Sequence, residues 1–394
     1  MRGRPHFTSP SPSTGEGWGG APKDGSGDTP LPNHPPQGGR VITPAPSTAW
    51  QSRLMPAKAL KQLMNQVAGG VRLTESETEE ALDLLMSGVA PPVTMGAFLM
   101  ALRVRGETVD EITGAAKFLR ARMTSVDAPP GSIDIVGTGG DSHGTYNVST
   151  AATFVAAGAG ATVAKHGNRA VTSLSGASDV LSALGVKLDV PPVTVTRAIS
   201  ESGVGFLWAP LYHPAMKTWA PIRADLGVRT LFNLLGPLCN PASVTRQVLG
   251  VYDRKLVEPI AQVLKNLGSQ HAWVVHGADG MDELTTTGAT TVAELHDGDI
   301  TVFEVTPEDA GVKRATLADL KGGDAAYNAA ALRRLLQGEE GPYRDIVVLN
   351  AAAALIVAGK ASGLVDGVTR AQSAIDSGAA NRALDRLVAV TNEG

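Results

Sequence analysis

The chain has 394 residues with 43% hydrophobic and 18% charged content, enough to bury one large core plus a smaller one. Its net charge of −4 argues against a general nucleic-acid binder, and no apolar run reaches the ~18 residues of a membrane span. Cys239 is the single cysteine, which excludes an internal disulfide and fits a reducing, cytoplasmic compartment. A small buried apolar role suits it better than that of a catalytic thiol.

Residues 1–50 form an extension crowded with Pro, Gly and Ser, without periodicity, and it is predicted to be disordered. Arg2 and Arg4 are followed by no apolar stretch, and Glu16, Asp24 and Asp28 count against a transit peptide. Met55 is a natural alternative beginning; N-terminal sequencing that found upstream residues in the native protein would refute this. From Pro56 to Met123 the pattern turns helical. Leu60, Leu63, Met64 and Val67 share one face before Gly69-Gly70. Thr74 and Glu77 have capping-box spacing ahead of Ala81, Leu82, Leu85 and Met86. Thr108 and Glu111 repeat the box ahead of Ile112, Ala115, Ala116 and Leu119. Four short helices of this kind predict a small bundle.

Ile133 to Val136 reads as a short buried strand. It runs into Gly137-Thr138-Gly139-Gly140-Asp141, the first of three polar loops. The second is Asn147-Val148-Ser149-Thr150, whose hydroxyls are suited to cap a helix over 151–157. Gly158 and Gly160 end that helix, and 161–164 form the next strand. Lys165-His166-Gly167-Asn168-Arg169-Ala170-Val171-Thr172-Ser173 is the third loop. Glycines let backbone N–H groups approach an oxyanion closely, while hydroxyls, amides and cations supply further donors. Any one loop is as well explained by a tight turn or a cap. Three in succession, at strand ends and a helix N-terminus, point to a ligand carrying several phosphates.

Farther on, aliphatic runs at 248–252, 272–275 and 300–305 alternate with helical stretches at 256–267 and 346–359, so the fold class is α/β. Asp282 and Glu283 are adjacent carboxylates in a loop of glycines and threonines. Such a pair is commonly a solvated turn, yet a diphosphate calls for Mg²⁺, which prefers carboxylates and phosphate oxygens.

The three loops, together with Trp208 to Lys217, Arg223, Leu226 to Thr230, Phe232 to Leu238, Gly280 to Thr285 and Leu349 to Leu355, resemble the anthranilate phosphoribosyltransferases. The resemblance runs from about Pro56 to the C-terminus. It implies a large mixed α/β domain at 126–205 and 243–394, with the active site in a hinge cleft. Beside it stands a small N-terminal helical-bundle domain at 51–125, completed by about 206–242. In that returning segment Pro210, Pro214, Pro221, Pro237 and Pro241 punctuate short helices.

The reaction implied is transfer of the phosphoribosyl group of 5-phospho-α-D-ribose 1-diphosphate (PRPP) to the amine of anthranilate, a step of tryptophan synthesis. Donor contacts carried over are Gly137, Gly140, Asp141, Thr145, Asn147, Val148, Ser149, Thr150, Lys165, His166, Gly167, Asn168, Arg169, Ala170, Val171, Thr172 and Ser173. Anthranilate contacts are Gly137, Asn168 and Arg223, the last a cation for the carboxylate. Ser149, Asp282 and Glu283 hold Mg²⁺, two ions per monomer, and no residue acts as a covalent nucleophile. His166 and His213 are wall residues or structural ones, and Arg229 is left out as an ion-pair or capping residue. The implied assembly is a homodimer without nucleic-acid or membrane partners.

Two rivals stand beside this reading. Pyrimidine-nucleoside phosphorylases share the architecture and a related glycine loop, but the acidic pair and the Asn168–Arg223 combination favour the transferase. A non-enzymatic nucleic-acid binder on the same scaffold would need a basic face. Asp282 to Thr290 also imitates the acidic signature of type I phosphoribosyltransferases, except that Gly277 to Gly280 stand where a strand should enter the pair. Ala177 departs from the family, many of whose members have Ser there. The loss either weakens donor binding modestly or is made good by water or Ser175.

Overall fold

The computed structural model describes residues 48–88, 90–140, 143–169 and 174–393, with only the course of the first helix given over 48–57. The expected disorder therefore lies outside the described residues as far as Ser47, and Thr48 to Trp50 already belong to a helix. Asp141 and Ala170 to Ser173 also lie outside them. In chain order the first elements are α1 Thr48–Ala68, α2 Glu75–Met86, α3 Pro92–Arg105, α4 Val109–Arg120, β1 Ile133–Gly137, α5 Val148–Gly158, β2 Val163–Gly167, α6 Ala177–Ala183, α7 Pro192–Ser202 and β3 Val204–Trp208. Then come α8 Ala209–Tyr212, α9 Met216–Leu226, α10 Phe232–Leu238, β4 Arg246–Gly250, α11 Val257–Asn266, β5 His271–Gly277, β6 Thr290–His296 and β7 Asp299–Val305. Four helices close the chain: α12 Ala325–Leu336, α13 Pro342–Val357, α14 Leu364–Asp376 and α15 Ala379–Asn392.

Both capping boxes form. The Thr74 N–H donates to Glu77 Oε2 at 2.9 Å, while Thr74 Oγ1 accepts from the Glu77 N–H at 3.3 Å. Glu111 does more than close the second box. Its buried carboxylate also takes the Leu73 N–H at 2.9 Å and pairs with Arg105, tying the α1–α2 link to α4. Farther along the chain, α9 packs on α3 and α10 on α4, with the Trp219 and Phe232 rings 4.7 Å apart.

The strands form one sheet in the order β3-β2-β1-β4-β5-β6-β7, parallel from β3 to β5 and antiparallel at β6 and β7. Residues alternate between two cores, as period-2 geometry demands. Val248, Trp273 and Val275 face α5 and α13, whereas Leu249, Ala272 and Val274 face α11 and the bundle. From β1 the chain winds outward through β2 and β3, then returns to place β4 on the other side. The crevice at the β1–β4 carboxyl ends is thus the topological switch point, where open α/β sheets bind ligands.

Three expectations need correction. Phe206 to Trp208 are not the start of short helices but part of β3, paired with β2 from Val163–Val204 to Gly167–Trp208, because this run is sheltered on both faces. Likewise β2 runs on through Lys165, His166 and Gly167, so these residues sit on a strand end rather than in a loop. The N-cap of α5 is Asn147, with no side-chain capping bond; Ser149 and Thr150 lie inside the first turn.

Candidate active site

Gly137 at the end of β1 is in register with Gly250 at the end of β4, and Asp282 lies across both. A Cβ at position 137 would overlap Asp282 Oδ2, and one at 250 would overlap the Asp282 carbonyl oxygen. Close approach, not turn geometry, requires glycine at these two places. The Gly139 N–H donates to Asp282 Oδ2 at 2.6 Å, and the Ser149 N–H donates to Glu283 Oε1 at 3.3 Å. The acidic pair is therefore no solvated turn: Asp282 is 8% exposed, and both carboxylates face the first glycine loop and the N-terminal turn of α5. Behind them, buried Asn350 of α13 accepts the Leu284 N–H at 3.0 Å and donates to the Leu284 carbonyl at 2.8 Å. That clamp fixes the backbone next to the pair.

Beneath the site Lys165 and His166 are both buried. The Lys165 ammonium donates to the Ile135 carbonyl; burial lowers its pKa, while Asp134, Glu283 and Asp282 oppose the shift. Asp134 on β1 is wholly buried, and burial pushes its carboxyl up to about 6 despite Lys165 and a 2.8 Å bond from Asn240 Nδ2. His166 Nδ1 lies 2.9 Å from the Gly236 carbonyl, which can only accept. His166 thus carries its proton on Nδ1, and its Nε2 lies 3.2 Å from His213 Nε2. Burial depresses His166 to about 3 and His213 to about 4, so both rings are neutral at pH 7.

Two cavities adjoin. A polar one of about 310 Å³ is lined by Gly137, Gly140, Ser149, Lys165, His166, Gly167, Asn168, Arg169 and Arg223 among the expected residues. A mainly apolar one of about 250 Å³ is walled by Leu119, Pro210, His213, Met216 and Leu235. Asn168 and Arg223 border both. Arg223, on α9, sits 5.7 Å over the Phe232 ring, and burial lowers its pKa. Among the described residues, the remaining expected donor contacts stand back from the cavities. Thr145 bridges to Lys321, Val148 and Thr150 are buried, and the Asn147 amide is held by other side chains.

Two residues escape a reading of the sequence. Arg229 lines the polar cavity, where its Nη2 would lie 3.0 Å from a Cβ at Gly140, and its guanidinium stacks 4.3 Å over Tyr252. Asn328 of α12 is buried and gives its Nδ2 to Asn147 Oδ1 and Ser175 Oγ, each at 2.9 Å, while its Oδ1 accepts the Gly323 N–H at 2.8 Å. Arg229 has its place in the Leu226 to Thr230 motif as a signal; Asn328 has only the neighbouring glycines. Ala177 lines the polar cavity, and the Ser175 hydroxyl offered in its stead is engaged with Asn147 and Gly323. The buried Ser178 hydroxyl makes no hydrogen bond among the described residues.

The sheet domain and the bundle beside it are those of a glycosyl transferase family. The chain matches the model of the glycosyl transferase family a/b domain over residues 130–381, and that of its helical bundle domain over 59–123. The anthranilate phosphoribosyltransferase of Rhodopseudomonas palustris strain TIE-1 is 60% identical over 331 residues, 84% of this chain and 98% of that one. The crystal structure of the Thermus thermophilus enzyme of the same name superposes with a TM-score of 0.79 at 45% identity, covering 84% of this chain and 99% of that one. The Saccharomyces cerevisiae anthranilate phosphoribosyltransferase in complex with PRPP and Mg gives 0.78 at 30% identity, covering 86% and 99%. The chain belongs to the anthranilate phosphoribosyltransferase family.

Proposed function

We propose that this enzyme transfers the phosphoribosyl group of PRPP to the anthranilate nitrogen, releasing diphosphate. The carrying observation is the junction itself: a polar cavity floored by glycine loops opens onto an apolar slot at Asn168 and Arg223. The positive end of α5 and the Ser149 hydroxyl, which borders the polar cavity, suit the diphosphate. Arg223 pairs with the anthranilate carboxylate, and Asn168 stands beside it. The apolar walls take the ring.

The acidic loop and the Ser149 hydroxyl offer only hard oxygen donors, which fits Mg²⁺, and we assign Ser149, Asp282 and Glu283 to hold two ions per monomer. When bound, Mg²⁺ neutralises the diphosphate and stabilises it as a leaving group. An aromatic amine is already neutral at pH 7, so its lone pair attacks the anomeric carbon without prior deprotonation. The C–N bond forms, the C–O bond to diphosphate breaks, and the surplus amine proton passes to solvent or to the departing diphosphate. Neutral His166 and His213 complete the slot without bringing charge to it. Positioning and electrostatics supply the acceleration, with no covalent enzyme intermediate.

The proposal includes a homodimer through the bundle. It is supported by an apolar groove between α1 and α3 lined by Leu60, Met64, Pro91 and Val93, the last 77% exposed. Light scattering tests it. A cytoplasmic site of action agrees with the lone buried Cys239, whose thiol burial pushes up to about 12. No helix among the described residues is long and apolar enough to cross a membrane.

Mass analysis of products separates the main reading from its nearest rival. Phosphoribosylated anthranilate from PRPP and Mg²⁺ supports the transferase. Free base from thymidine or uridine with phosphate, and no anthranilate product, would establish the phosphorylase instead.

A further inference from the structure

At the end of β5 remote from Gly277, three side chains of metal-ligating type share one face of the sheet. His271 and His296 are direct cross-strand partners on β5 and β6, and Glu294 stands two residues before His296, opposite Trp273. The pleat sends i and i+2 to the same side, with cross-strand neighbours about 5 Å apart, so register alone gathers the three into a tripod. Their ligand atoms all lie within 4.8 Å of one another. The two imidazoles stack at 4.2 Å with an interplanar angle of 11°. Glu294 Oε1 meets His271 Nε2 and accepts the Trp273 indole N–H, each at 2.9 Å. The indole can only donate, and its bond orients the carboxylate from outside the tripod, as supporting partners do at metal centres. Asp297 Oδ2, 3.7 Å from His296 Nε2, offers a further oxygen.

We propose that His271, Glu294 and His296 form a second cation site, for a transition-metal dication such as Zn²⁺, that staples β5 to β6. Two imidazoles and one carboxylate favour Zn²⁺ or Co²⁺ over Mg²⁺, in contrast to the all-oxygen set around Asp282. The side chains of His271 and His296 are 6% and 59% exposed, so one ligand is anchored in the protein and the other open to ions from solution. Along β5 the site lies roughly 20 Å from Gly277, six residues at the rise of a strand, too far to touch the transferred group.

The test uses the full chain after chelator treatment. Co²⁺ is titrated while its visible d–d absorption is recorded, and Zn²⁺ is titrated by calorimetry. The expected result is one tetrahedral-type Co²⁺ spectrum per chain, and a Zn²⁺-dependent rise in melting temperature. His296→Ala, a change at an exposed ring, should weaken binding about 10- to 100-fold and remove the rise, with Mg²⁺-supported transfer unchanged. The Asp282→Asn, Glu283→Gln variant should keep the spectrum, so failure of the transferase reading would not touch this one. Equal Zn²⁺ affinity in wild type and His296→Ala, or loss of the spectrum in the acidic-pair variant, would overturn it.

Discussion

Asn350 holds the peptide of Leu284 by both edges, accepting its N–H at 3.0 Å and donating to its carbonyl at 2.8 Å. A helix packed on the sheet thereby fixes the residue that follows Asp282 and Glu283, and the acidic pair inherits its position from α13. Asn350→Ala would leave the Leu284 N–H and carbonyl buried and unpaired, at about 1–3 kcal/mol for each group. Urea unfolding should show that loss, and the Mg²⁺ concentration for half-maximal rate should rise. Asn350→Asp keeps the acceptor but loses the donor and buries a charge, so it should be no better.

Gly137 and Gly250 both give way to Asp282, but to different atoms, and the two alanine variants should differ accordingly. At 250 the obstacle is backbone, so strand or loop must move; about 1–3 kcal/mol of stability should be lost along with activity. At 137 the first obstacle is the carboxylate, which can rotate. Gly137→Ala should melt near wild type while kcat/KM falls roughly 10²-fold, the effect of a misplaced group. Equal melting temperatures and equal rates for the two variants would contradict this division.

Asp282→Asn with Glu283→Gln keeps oxygens able to accept from Gly139 and Ser149, so the loop should stay in place. At fixed Mg²⁺ the double variant should lose roughly 10²–10³-fold in rate, on the scale of removing electrostatic stabilisation, with little change in melting. Normal turnover would show that the pair does not hold the metal.

Acid should destabilise the fold through the buried histidine pair. His166 and His213 are depressed to about 3 and about 4, below the ordinary value of 6.5, so between those limits the unfolded chain binds more protons than the folded one. Their contribution is complete above pH 6.5 and is lost as pH falls toward 4. For His213 alone it is on the order of 3 kcal/mol. Asp134, raised to about 6, acts in the opposite sense, favouring the fold below that pH. His213→Gln should therefore flatten the fall in stability between pH 6.5 and 4.5, measured by urea unfolding. An unchanged slope would remove the pair from the account.

Arg223→Ala should raise KM for anthranilate strongly and KM for PRPP little, because the guanidinium stands at the mouth of the apolar slot. Steady-state kinetics with each substrate varied in turn would show it.

What is legible in the sequence is local. Capping boxes at Thr74 and Thr108 announce themselves within four residues, and the donor loops show their glycines or hydroxyls in short runs. Positioning residues act across the chain instead: Asn328 reaches Asn147 over 181 positions, and Asn350 reaches Leu284 over 66. Beyond the neighbouring Gly322 and Gly323, nothing near Asn328 in the sequence marks it as different from a surface amide. Lys165 reads as a loop cation because a lysine gives no local sign of burial, whereas β2 carries it under the sheet edge to the Ile135 carbonyl. β3 escapes notice because its five residues lie directly before a proline-rich stretch, and β6 because Thr290 reads as the tail of an acidic signature.

Mixing the protein with anthranilate, PRPP and Mg²⁺ and following anthranilate fluorescence decides whether the phosphoribosyl group is transferred. Fluorescence should decay to completion only when all three components are present, with one diphosphate released per anthranilate consumed. Constant fluorescence with folded protein and saturating substrates would contradict the transfer.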